Sequence, residues 1–205
     1  MKAIKIKQPP VGKLEWCFVT GDGRNQAMDG SPEKMQKTAS LVLNKDSKEA
    51  KHIVDQINAT WELYKAENPK IKAATQPKSL GYKVVKDKDT DEETNDLVFT
   101  FKTNSFWKDG KPNIVKVFNA KGQAVEMGDT IIGNGSLGVV HGSMGGYEYA
   151  GSFGISLYLS AVQIAKLVEG SSDSVDATDL SAIAGDDSFE STGDSMPEVD
   201  VQPSL

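Results

Sequence analysis

The segment that decides the fold is residues 152–161, which reads SFGISLYLSA. Apolar side chains stand at every second position from Phe153 to Ala161, and glycine, serine and Tyr158 occupy the positions between them. Because successive side chains of a β-strand point to opposite faces, this period of two predicts a strand with one face toward a core. Residues 97–102, LVFTFK, alternate in the same way. Two such strands predict a body that is mainly β-sheet.

Weaker strand signals and turn signals fill most of the remaining body. Apolar and β-branched residues favour strands at 15–20, 38–43, 81–86, 113–118 and 137–141. Glycine, proline and aspartate predict turns at 21–23, 109–112, 121–122 and 145–146. Residues 87–95 hold five acids and little that is apolar, so we expect an exposed loop or hairpin tip there.

One segment has helical rather than strand periodicity. It begins after Asp46 and Ser47, either of which is a plausible N-cap, and it ends before Pro69. The spacing predicts a helix of about 20 residues inserted among the strands. We therefore predict a mainly β fold, an OB-fold-like five-stranded barrel with one inserted helix. The apolar face of the helix consists of Ala50, Ile53, Val54, Ile57, Trp61 and Tyr64.

Charge divides the chain into two unlike parts. Residues 169–205 hold ten acids and no Lys or Arg, whereas the first 168 residues hold 23 bases against 19 acids, a net charge of +4. We expect a folded domain over 1–168 and a disordered acidic tail over 169–205. Such a split suggests a body that binds a polyanion and a tail that competes with that ligand or recruits basic partners. A tail that only improves solubility is the alternative.

The composition argues against several classes of protein. A single cysteine, Cys17, and two distant histidines, His52 and His141, leave no zinc site or disulfide framework, so no cofactor or metal is expected. No signal peptide or membrane span is evident, so we expect a soluble protein of the cytoplasm. The run 133–138 matches the glycine fingerprint of dinucleotide binding, but a strand signal follows it, which predicts a turn or a bulge between strands. No catalytic motif is present, and we expect a protein that is not an enzyme.

Aromatic residues interleaved with lysines indicate binding of single-stranded nucleic acid. Exposed rings stack on bases, and nearby cations neutralise backbone phosphates. Of the 23 basic residues, 22 are Lys, which favours contact with the backbone over reading of base sequence. For Trp16 and Phe106 a place in the core is an equal alternative. The predicted binding residues are Trp16, Phe106, Trp107, Tyr147, Tyr149, Lys37, Lys83, Lys102, Lys108, Lys111 and Lys116.

Fragments spread over most of the body carry a resemblance to a known family. They lie at 37, 41–46, 99–102, 105–106, 115–118, 121–122, 131–133, 135–136 and 147–149. In these residues the chain resembles the replicative single-stranded DNA-binding proteins of tailed bacteriophages, an OB-fold group with an acidic C-terminal tail. The resemblance implies non-sequence-specific binding of single strands, with Tyr147 and Tyr149 as an aromatic pair and Lys37, Lys102 and Phe106 at neighbouring cleft positions.

The resemblance also implies that the tail engages DNA polymerase and helicase-primase, and that the protein forms a tail-exchanged homodimer. The chain departs from the family pattern in two ways: it ends in Leu205 rather than in an aromatic residue, and residues 142–146 are richer in glycine. The predicted partner-binding residues of the tail are Asp186, Asp187, Phe189, Glu190, Asp194, Glu198 and Asp200.

The sequence therefore predicts a protein that coats single-stranded DNA in the infected host cell during phage DNA replication and recombination. The rival interpretation is a β-rich adaptor or virion-associated module that binds a basic protein partner and no nucleic acid. Binding of RNA or duplex stays open, because stacking and phosphate contacts do not by themselves select DNA.

Overall fold

The computed structural model describes residues 1–25, 34–128 and 130–170. Over these ranges the chain forms twelve strands and one helix. The elements are β1 (Ile4–Lys5), β2 (Val11–Phe18), β3 (Arg24–Asn25), β4 (Met35–Asn44), α1 (Lys48–Glu67), β5 (Tyr82–Lys86), β6 (Glu93–Asn104), β7 (Lys116–Phe118), β8 (Ala124–Val125), β9 (Ile131–Ile132), β10 (Leu137–Tyr149), β11 (Ser152–Lys166) and β12 (Glu169–Gly170).

Five long strands close into a barrel. They follow one another around it in the order β2, β4, β6, β11, β10, and β10 then pairs with β2 again through Leu137 and Lys13. The pairing of β6 with β11 is parallel and the other four pairings are antiparallel. The prediction of a five-stranded OB-fold barrel with one helix is thus confirmed.

The alternating segments supply the barrel core. Phe99 and Phe101 of β6 are fully buried, and Ile155, Leu157 and Leu159 of β11 are at most 5% exposed. The predicted alternation fails near the end of β11. There a bulge opposite His141 and Gly142 shifts the register, so the half-buried Ala161 leaves the core face and Val162 enters it.

The helix forms where the sequence predicts it. The Ser47 side chain accepts a hydrogen bond from the Ala50 amide at 3.0 Å, and α1 then runs for 20 residues. Its buried face, which includes Ile53, Ile57 and Tyr64, joins the barrel core. In the described part of the chain, no helix has both the length and the apolar character that a membrane span needs.

The predicted turn at 145–146 is wrong, because β10 continues through the glycine-rich run to Tyr149. The glycines allow atoms of α1 and of the neighbouring strand β11 to pack closely against β10. A Cβ at Gly146 would lie 2.3 Å from the ring of Tyr64, and one at Gly142 would lie 2.4 Å from the Tyr158 carbonyl oxygen. The reversal into β11 comes later, at Ala150 and Gly151, both of which have positive φ.

The last described strand extends past the predicted end of the folded domain. Glu169 and Gly170, which the charge pattern assigns to the tail, pair with Ile132 and Ile131. Residues 171–205, with all seven predicted partner-binding positions, lie outside the described residues. The turn or bulge predicted within 133–138 is a turn at Asn134 and Gly135, and strand β10, not a helix, begins at Leu137.

Candidate nucleic-acid interface

A groove lies on the outer face of the barrel where β6 and β11 separate. The two strands pair only at Phe101–Lys102 with Leu157–Tyr158. Beyond that point residues 78–81 run between them, since the Ile155 amide donates to the Ser79 oxygen at 2.9 Å and the Thr100 amide to the Gly81 oxygen at 3.1 Å. The separation leaves a groove of about 650 Å³.

Lysine and tyrosine side chains gather in this groove. Tyr149 is 72% exposed at the end of β10. The ring of Tyr147 lies against Gly154, where an added Cβ would come within 2.7 Å of it. The half-buried ring of Tyr82 packs against Phe99 at 5.4 Å between centroids. The lysines and tyrosines that line the groove are Lys78, Lys83, Lys102, Tyr82, Tyr147 and Tyr149.

Electrostatics in the groove favour an anionic ligand. Glu148 is the one acidic residue among those that line it. Its carboxylate lies 3.2 Å from the Lys70 ammonium, and this ion pair offsets its negative charge. Burial raises the pKa of Tyr82, so that its hydroxyl remains a neutral hydrogen-bond donor well into alkaline pH. Three lysines therefore determine the charge that a ligand meets.

Trp16 belongs to a different cavity of about 430 Å³. It is 49% exposed, has φ of +52°, and its amide donates to the Asn134 side chain at 2.9 Å. The residue sits at a bulge of β2, which directs its ring outward. Nearby, the Arg24 guanidinium lies 5.3 Å from the centroid of the Phe18 ring. This cavity is a second place where flat rings and a cation meet.

A short hairpin loop after β6 carries four more of the predicted binding residues. Phe106 bridges to Pro112, and the Trp107 amide donates to the Lys111 oxygen at 2.8 Å, which leaves the Trp107 ring 59% exposed. Lys108 and Lys111 are exposed on the same loop, where Lys111 pairs with Asp109 at 3.0 Å. Lys116 is exposed on β7. None of these five predicted residues lines the groove.

The prediction that Lys37 and Lys102 occupy neighbouring positions of the binding cleft is wrong, because Lys37 does not line the groove. In the β4–β6 pairing, Thr38 lies opposite Lys102 and Lys37 opposite Thr103. Paired residues share a face, so Lys37 lies on the core side of the sheet, where it is 6% exposed. Burial lowers its pKa, and the nearby Asp22 carboxylate partly opposes this effect.

The structure thus unites four of the predicted residues, Lys83, Lys102, Tyr147 and Tyr149, and adds Lys78 and Tyr82. Tyr82 could have been found from its place beside Lys83 in a predicted strand. Lys78 precedes that strand in a segment without periodicity, so no sequence signal places it in the groove. Among the described residues, no cluster of His, Cys, Asp and Glu is suited to a metal ion.

Comparisons with known proteins identify the same barrel in solved structures. No family model matches the sequence, and no curated protein sequence matches it. The structure is similar to gp2.5 of bacteriophage T7, a single-stranded DNA-binding protein, with 19% identity, a TM-score of 0.59, and coverage of 87% of this chain and 99% of that chain.

It is also similar to the single-stranded DNA-binding protein of bacteriophage Enc34 in complex with single-stranded DNA. Here the identity is 17%, the TM-score is 0.55, and the match covers 75% of this chain and 82% of that chain. A C-terminal truncation of the Enc34 protein matches at 18% identity and a TM-score of 0.55, over 80% of this chain and 94% of that chain. At these identities the similarity establishes a shared fold.

Proposed function

We propose that this protein binds single-stranded DNA without sequence preference, in the groove between β6 and β11. The observation that carries the proposal is the convergence of three lysines and three tyrosines in one groove of an OB-fold barrel. Tyr147 and Tyr149 stack on bases, and Lys78, Lys83 and Lys102 neutralise phosphates. The Enc34 protein, which shares the fold, has a solved structure in complex with single-stranded DNA.

The chemistry of the groove supports binding of any sequence. Its cations are all lysines, and the one arginine of the chain, Arg24, lies in the Trp16 cavity. Lysine meets a phosphate as a point charge and lacks the planar fork with which arginine reads guanine edges. Tyrosine stacks on every base because each base has a π-face. The protein therefore follows the backbone and coats the strand.

Two further roles belong to the same proposal. The protein acts in phage DNA replication and recombination, where single strands are exposed. Its acidic tail competes with DNA for the basic body and, once displaced, recruits replication proteins such as DNA polymerase and helicase-primase. The ten acids of residues 169–205 against a body charge of +4 support the competition.

The test is a titration of labelled oligo-dT with the full-length protein, followed by fluorescence anisotropy at two salt concentrations. A matching duplex and oligo-rU serve as competitors, so that single-strand preference and DNA preference are read separately. Tyr147→Ala should weaken binding about 5- to 150-fold, whereas Leu63→Ala, a change at a half-exposed site on α1, should not.

Removal of residues 171–205 tests the role of the tail. We expect tighter binding of oligo-dT by the shortened chain, most strongly at low salt, where charge competition is least screened. Equal affinity at low salt would contradict the competition. If neither chain binds oligo-dT, the DNA proposal fails and the protein-interaction module becomes the better interpretation.

A further inference from the structure

A second exposed tyrosine, besides Tyr149, lies outside the groove and outside the predicted set. Tyr158 of β11 is 39% exposed, and it pairs with Lys102 on one side and with Ser143 of β10 on the other. Its sequence neighbours Leu157 and Leu159 are in the core, so the Tyr158 ring lies on the outer face. Tyr147 occupies the same face, since its ring lies on Gly154 of β11.

We propose that Tyr158 forms a second stacking subsite for a nucleobase of the bound strand, with Lys5 and Lys102 at its two sides to hold the adjoining phosphates. This inference rests on the proposed function and extends it, because it gives the bound strand a path out of the groove across β11 and β10.

Small residues surround the ring of Tyr158. A Cβ added at Gly145 of β10 would come within 3.2 Å of the ring atom Cε2 and within 3.6 Å of Ala3. Ser143 and Ser156, the flanking positions of the same face, carry short side chains. No bulky side chain stands at these positions, and the exposed part of the ring is open to a base.

Two lysines stand in register with this ring. Lys102 pairs directly with Tyr158, and Lys5 of β1 pairs with Ser143 on the far side of β10. Both lysines are exposed. The row from Lys5 to Lys102 crosses three strand spacings, about 14 Å, with the tyrosine between its ends. An alternation of cation, ring and cation matches the alternation of phosphate and base in a single strand.

The N-terminal segment that carries Lys5 is held in place. The Ile6 amide donates to the Gly142 oxygen at 3.0 Å, which continues the pairing of β1 with β10. On the other side, the Lys7 amide donates to the Gln56 side chain of α1 at 2.8 Å, and the His52 ring lies 3.0 Å from the Lys7 oxygen. The Lys5 backbone therefore has a fixed position beside Tyr158.

The new subsite is continuous with the groove through Lys102, which lines both. Along β11, Tyr158 lies four residues from Gly154, on which Tyr147 rests, a separation of about 13 Å. An oligonucleotide that occupies only the Tyr147–Tyr149 end of the groove ends before it reaches Tyr158. A longer one does, so the contribution of Tyr158 should depend on oligonucleotide length.

The test compares oligo-dT of about 4 nucleotides with oligo-dT of about 16, the range of site sizes of single OB folds. Full-length protein is used throughout, with Tyr158→Ala, Tyr158→Phe and Lys5→Gln as variants and Leu63→Ala as an exposed control. Tyr158→Ala should weaken binding of the long oligonucleotide about 5- to 150-fold and leave the short one unchanged. Tyr158→Phe should retain binding. Lys5→Gln should make the salt dependence for the long oligonucleotide shallower by about 0.7 log units per log unit.

Each other outcome overturns the inference. If wild type binds both oligonucleotides and Tyr158→Ala binds them equally well, Tyr158 is no subsite, although the groove proposal stands. If Tyr158→Ala weakens both oligonucleotides alike, the ring acts through the structure of the groove. If wild type binds neither oligonucleotide, the proposed function itself fails and the subsite with it. Thermal unfolding and circular dichroism of each variant show that the fold is retained.

Discussion

Replacement of Lys78, Lys83 and Lys102 together by glutamine tests the electrostatic part of the proposed function. Each phosphate that a protein neutralises on a single strand contributes about 0.7 to the slope of log affinity against log salt. Three groove lysines should therefore account for about 2 units of that slope. Between about 50 and about 200 mM salt, the wild-type affinity should fall about 16-fold more than the affinity of the variant.

The assay is anisotropy of labelled oligo-dT across at least four salt concentrations. The matched control replaces Lys45, just before α1, together with Lys48 and Lys51 in its first turn; all three are exposed and none lines the groove. Both variants lose the same three charges, so a general effect of net charge would change both slopes equally. Equal slopes for the two variants would refute the assignment of phosphate binding to the groove.

Three further predictions concern the residues around the barrel. Gly146→Ala places a methyl group against the Tyr64 ring and should lower the unfolding free energy by about 1–3 kcal/mol, measured in urea; an unchanged midpoint would contradict this packing. Burial raises the pKa of Cys17 to about 12 and shields its sulfur, so at pH 8 the native thiol should react with a disulfide reagent much more slowly than the thiol of the unfolded chain, and rapid reaction before unfolding would disprove its burial. Burial lowers the pKa of Lys37, so the unfolded state binds the Lys37 proton more tightly and the charged lysine destabilises the fold. Lys37→Met should therefore raise the melting temperature most at neutral pH. The gain should shrink as pH approaches about 10.4, where the lysine of the unfolded chain also loses its proton. A loss of oligo-dT affinity in that variant would show instead that Lys37 contacts DNA.

The sequence predicted the elements of the barrel because their signals are local. The alternation at 97–102 and 152–161 and the spacing of α1 follow from backbone geometry over a few residues. The error at 145–146 has the same origin. Glycine is common in turns, but Gly146 lies in a strand and leaves room for the ring of Tyr64. Tyr64 is 82 positions earlier in the chain, so no local pattern reveals this contact.

The candidate site was predicted in part for the same reason: local signals identified some of its residues, and contacts between distant strands decided the others. Tyr147 and Tyr149 were predicted as an aromatic pair from the family resemblance, and Lys83 and Lys102 are lysines of two predicted strands. Lys37 looked equally suitable, yet the register of β4 with β6 turns it to the core face. In the sequence, Tyr158 is one of the residues between the apolar positions of a predicted strand, and its pairing with Lys102 in the structure shows that a cation stands beside it.

By itself, the sequence determined the mainly β class, the inserted helix, most turns and the division between a basic body and an acidic tail, because composition and short-range periodicity are properties of neighbouring residues. The tertiary structure alone decided which lysines and rings meet. Their meeting depends on strand register, on the point where β6 and β11 separate, and on glycines that admit a ring from another element. A shift of one residue in register moves every side chain of a strand to the opposite face, and register is set by contacts between residues far apart in the chain.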